Sequence, residues 1–133
     1  MTAKEYLKRY RTLNAYIDCK LEEVAQFREL STRLSPTAMF DRNGNVSDKV
    51  GRTAAKIVDL EREIDREVDE LVQVRSEIEE AIAAVDDERL RTILLKRYIN
   101  GDKWEKIAVD LCIDLRWLYI LHGKALQQIK IHH

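Results

Sequence analysis

Apolar positions recur every three or four residues along most of this chain. Tyr10, Leu13, Ile17, Leu21, Val24, Phe27, Leu30 and Leu34 form one stripe, which predicts a single helix from Ala3 to about Leu34. Ser35-Pro36 closes it, because proline cannot extend the hydrogen-bond ladder and restricts the residue before it. A loop follows to Val46 with Asn43-Gly44-Asn45 as its turn, and Ser47 or Asp48 is placed to cap the next helix. From Val50 to Val85 the apolar residues Val50, Ala54, Ile57, Leu60, Ile64, Val68, Leu71, Val74, Ile78, Ile82 and Val85 take ten steps to cover 35 residues. That is the heptad period of a left-handed coiled coil. Two long helices joined by a short loop predict an antiparallel hairpin over residues 1–86. Each stripe is narrow, so a further layer is expected, from the rest of the chain or from a second copy of it.

Beyond Asp86-Asp87, where an acid can cap a new helix, the pattern shortens. Leu90, Ile93, Leu94 and Tyr98 mark one inner face, and Asn100-Gly101 ends that helix. Trp104, Ile107, Ala108 and Leu111 mark a second helix, Cys112-Ile113 a tight corner, and Asp114 the cap of a third helix carrying Leu118, Leu121, Ala125 and Ile129. Helix, short turn, helix is the helix-turn-helix unit, whose DNA-binding form lays its second helix in the major groove. The expected fold is therefore all-α: a long two-helix coiled-coil hairpin arm over 1–86 and a three-helix head over 87–131. His132-His133 read as the remnant of a purification tag.

The run LLKRYINGDKWEKIAVDL followed by RWLYILHGKALQQI resembles region four of sigma factors, and more closely the small phage transcription regulators of the ArpU and RinA types. The residues that carry the resemblance are Arg97 to Gly101, Trp104 to Ala108, Leu111, Leu118-Tyr119 and Leu121 to Leu126. Ser47 to Ile64 is similar to the middle segment of the same proteins, so roughly two thirds of the chain is covered. The resemblance implies a phage or prophage origin, a place in the cytoplasm of a bacterial host, and a role in transcription through promoter DNA, RNA polymerase or both. On that reading Arg116 and Tyr119 face the groove beside Trp117 and Ile120, while Lys103, Lys106 and Lys124 meet phosphates. Two departures stand out. Cys112 takes a corner position that is usually glycine, and Leu115, Trp117 and Ile120 are apolar where relatives carry polar or basic residues. A Leu115-Trp117-Ile120 patch suits a protein partner, which gives the competing expectation of a protein-binding module on a helix-turn-helix scaffold.

Charge changes this picture modestly. The chain of 133 residues is 35% charged with a net charge of −1. Residues 88–131 hold nine basic against five acidic side chains, a net +4, which leaves −5 on the first 87. A mildly basic head on an acidic arm suits a DNA reader whose arm dimerises the protein or holds a partner. One proline and four glycines agree with long helices.

Other chemistry is thin. No run is apolar enough for a membrane span, and no signal peptide is expected, since the first residues read as the start of an amphipathic helix. Cys19 and Cys112 lack metal-binding spacing and are expected as buried, reduced thiols. Asp41, Asn43 and Asn45 start like a calcium loop, but Val46 stands where glycine is needed and Arg52 where glutamate is needed. There is no phosphate loop, nucleophile elbow or HExxH motif, so neither an enzyme nor a cofactor is expected. His122, the one histidine outside the tail, is expected as a structural side chain rather than a base.

Overall fold

A computed structural model describes residues 1–33, 44 and 48–131. Among them the chain is all-α, with five helices and no strand. Helix α1 spans Ala3–Thr32, α2 Asp48–Ala83, α3 Glu88–Leu94, α4 Trp104–Leu111 and α5 Leu115–Gln128; a π-helical turn, Leu95–Ile99, extends α3. Leu34, Ser35-Pro36, Asp41, Asn43, Asn45, Val46, Ser47 and His132-His133 lie outside the described residues, while Gly44 has a left-handed backbone at φ 79°. At the start of α1, Thr2 and Glu5 exchange side-chain-to-backbone hydrogen bonds of 3.1 Å each, a capping box that satisfies two otherwise orphaned N–H groups.

The chain packs as two compact units. Ala15–Glu70 forms one, and Met1–Asn14 with the chain from Leu71 onward forms the other. The expected boundary at 86–87 and the boundary of packing therefore fall at different places. The ends of both long helices belong with the short ones.

In the Ala15–Glu70 unit the two long helices run antiparallel, as Lys20 pairs with Glu67 at 2.6 Å and Glu63 at 3.1 Å, and Arg28 pairs with Glu61. Ile17, Val24, Leu60 and Ile64 are buried there. The seam departs from the expected stripe at particular residues. Leu21, Leu30 and Val68 are 49%, 52% and 39% exposed, whereas Lys20 and Glu67 hold seam positions with side chains only 11% and 20% exposed. Strict alternation of three and four residues carries Ile17 to Lys20 to Val24, and Ile64 to Glu67 to Leu71. Choosing the nearest apolar residue instead slips one position onto the flank. The seam accepts this pair because the lysine stem is itself apolar and each charge offsets the other. Hydrogen bonding to Glu67 holds the Lys20 ammonium above its ordinary pKa.

In the other unit, Tyr6 and Leu7 of α1 and Val74, Ile78, Ala81 and Ile82 of α2 meet the buried faces of the three short helices in one core. The further layer that the narrow stripes call for is thus supplied, in this unit, by the chain itself. Asp87 caps α3 by accepting from the N–H groups of Arg89 at 2.7 Å and Leu90 at 3.3 Å. The π turn closes with the Asn100 N–H donating to the Leu95 carbonyl at 3.0 Å. Widening the last turn by one residue lets the consecutive Tyr98 and Ile99 both face inward, 3% and 9% exposed. Gly101 then reverses the chain at φ 73°, and a Cβ there would overlap the Arg11 guanidinium. The left-handed backbone is what calls for glycine there, since the flexible arginine could move aside.

Candidate nucleic-acid interface

The corner between α4 and α5 is built by hydrogen bonds that the sequence places well. Cys112 is left-handed at φ 56°, ψ 42°; its N–H donates to the Val109 carbonyl, and the Ile113 N–H donates to the Ala108 carbonyl, each at 3.1 Å. This is the Schellman arrangement, which usually takes glycine. Cysteine adopts it at a cost of about 1 kcal/mol. Cys112→Gly should therefore raise stability by about that amount, read as a higher urea midpoint at unchanged slope; a lower midpoint would contradict the account of strain. Both cysteines are free thiols and exposed, against the expectation of burial. Cys112 is exposed because a corner residue in this geometry points outward.

Asp114 accepts the Trp117 N–H at 2.7 Å and starts α5. The helix then divides cleanly. Leu118, Leu121, His122 and Ala125 are buried, while Arg116, Trp117, Tyr119, Ile120, Gly123 and Lys124 face solvent. Trp117 is 38% exposed, Tyr119 49% and Ile120 45%. Leu115 is half-buried against the core, so Trp117 and Ile120 alone continue the expected apolar patch outward. Gln127, exposed four residues after Gly123, joins this face, and the same spacing could have found it from the sequence.

The candidate cations are in different states. Lys103 and Arg116 are exposed and have no ion pair among the described residues. Lys124 lies over the Trp117 ring at 5.5 Å, a cation–π contact that leaves its charge in place. Lys106 is instead held by Asp110 at 2.9 Å and Asp102 at 3.4 Å, with Lys96 also on Asp110 at 3.1 Å. Those hydrogen bonds raise the Lys106 pKa, and the Lys106 and Lys96 bonds lower that of Asp110. A phosphate at Lys106 must compete with two carboxylates.

Behind this face lies an aromatic cluster. Trp104 meets Tyr119 edge-on at 5.6 Å and His122 at 4.5 Å, and Arg97 lies over the Trp104 ring at 4.5 Å. The Tyr98 hydroxyl is 2.7 Å from His122 Nε2. Burial, with Lys4 and Arg97 nearby, pushes the His122 pKa down to about 4, so the ring is neutral at pH 7 and shares one hydrogen bond with the Tyr98 hydroxyl. His122 is a satisfied polar core group that seats α5, and Tyr119 is held partly by Trp104 rather than free on the surface.

Among the described residues no cluster of His, Cys, Asp or Glu could hold a metal, and no helix is long and apolar enough to cross a membrane. No protein-family model, curated protein or solved structure matches this chain.

Proposed function

We propose that this protein is a transcription regulator of the phage or prophage type whose α4–corner–α5 unit binds duplex DNA, in the manner of sigma-factor region four. One observation carries the reading: α5, Leu115–Gln128, contains no acidic residue, and its outward face presents Arg116 and Lys124 to solvent. A helix that enters the major groove must meet phosphates on both sides, and an acid there would be repelled. The corner geometry and the resemblance to region four support the same reading, with RNA polymerase as a second partner of the head.

Lys103, Arg116 and Lys124 are the cations available to phosphates; Lys106 counts for less because it is already paired. Three such contacts give a slope of about −2.7 in log affinity against log salt, so affinity should fall about 40-fold from 50 to 200 mM salt. A fluorescence-anisotropy titration of a labelled duplex measures this. Absence of binding at low salt would remove the proposal.

A second reading has its own observation in the exposed Trp117 and Ile120, which suit an apolar protein partner. Trp117→Ala separates the two: a lost protein complex with DNA binding intact favours the second, and lost DNA binding favours the first. Exposed Leu21, Leu30 and Val58 on the long helices support self-association through the arm, which light scattering across a dilution series tests.

A further inference from the structure

Gly123 stands in the middle of α5 with ordinary helical backbone, and a Cβ added there would meet no atom within 4 Å. Neither a left-handed φ nor packing inside the protein calls for glycine, and glycine weakens a helix relative to alanine. Helical spacing surrounds the position with Arg116, Tyr119, Ile120 and Gln127, all exposed. The result is a notch in the outward face of α5, with the aliphatic Ile120 beside it and a cation at one end. A missing side chain on an open face suits an outside molecule that comes close to the backbone, and the cations flanking it on an acid-free helix favour a polyanion.

Thymine is the base whose major-groove edge carries a methyl group, and apolar side chains read it by contact. Resting on the DNA reading above, we propose that the Gly123 notch seats a thymine C5-methyl against Ile120, and that Gly123 marks the closest approach of α5 to DNA. Gly123 and Ile120 are then specificity-determining residues, although neither donates a side-chain hydrogen bond.

The test begins with the full chain and a random-sequence duplex pool, from which bound sequences are enriched. Each thymine of the enriched site is then replaced in turn by deoxyuridine, which lacks only the methyl. At one position the replacement should weaken binding about four-fold, the worth of one buried methyl, and Ile120→Ala should erase the difference. Gly123→Ala should raise the melting temperature while weakening DNA binding at least about ten-fold, as a side chain in the notch holds the helix off the bases. Tolerance of deoxyuridine throughout, wild-type DNA affinity in Gly123→Ala, or binding without any enriched sequence overturns this proposal and leaves the DNA reading standing. No binding at low salt removes both and leaves the face to a protein partner.

Discussion

Lowering the pH from 6.5 to 4 should remove about 3 kcal/mol of folding stability through His122 alone. The folded ring has its pKa depressed from 6.5 to about 4, chiefly by burial. Above pH 6.5 the ring is neutral in both states and contributes no pH dependence. Below it the unfolded chain takes up a proton that the folded chain refuses, so stability falls until the folded ring also titrates near pH 4. The folded ring resists because it is buried beside Tyr98 and Trp104, and because Lys4 and Arg97 disfavour a further positive charge there. Carboxylates add their own slope in this range, so the comparison is with the double variant Tyr98→Phe/His122→Phe. Replacing both members of a buried pair by apolar groups of similar shape is close to neutral at pH 7. Urea midpoints across the range should show the wild type falling more steeply than the double variant. Equal slopes would mean that His122 is not held neutral by the fold.

Leu118→Ala should cost about 3 to 5 kcal/mol, while Ile120→Ala, two residues along the same helix, should cost less than about 0.5 kcal/mol. Leu118 is fully buried, one of the side chains that fix α5 in the core shared with α3 and α4. Its truncation leaves a cavity that close-packed neighbours fill only in part. Ile120 is 45% exposed, so removing its side chain leaves no cavity. DNA affinity should follow the opposite order once Leu118→Ala is measured at a temperature where it remains folded. Thermal and chemical denaturation of both variants, with a binding titration on each, checks the pair. A costly Ile120→Ala would mean that Ile120 packs inward and that α5 is turned about its axis.

Much of this architecture was readable in one dimension. The three-and-four rhythm of apolar residues places all five helices, since a helix returns to the same face every 3.6 residues. Asp87, Asp114 and Gly101 mark helix ends in the sequence and perform those roles in space, because caps and left-handed turns depend on local backbone chemistry. The outward set on α5 was legible for the same reason: once Leu118, Leu121 and Ala125 face in, Arg116, Trp117, Ile120 and Lys124 face out.

Other features depend on residues distant in the chain, and local pattern is blind to them. Lys20 enters the seam only because Glu67, 47 residues away, stands opposite it. Lys96 reaches Asp110, 14 residues along and in another helix, only when the helices pack, whereas the pairs of Lys106 with Asp102 and Asp110 span four residues each and are local. The π turn at Leu95–Ile99 has no local signature; it lets Tyr98 and Ile99 reach the core together, and Tyr98 there meets His122. Periodicity and capping act between neighbours in sequence, so residue order settles them. Charge pairing, the neutrality of a buried ring and the openness around Gly123 depend on which surfaces meet, and those are set when the helices pack.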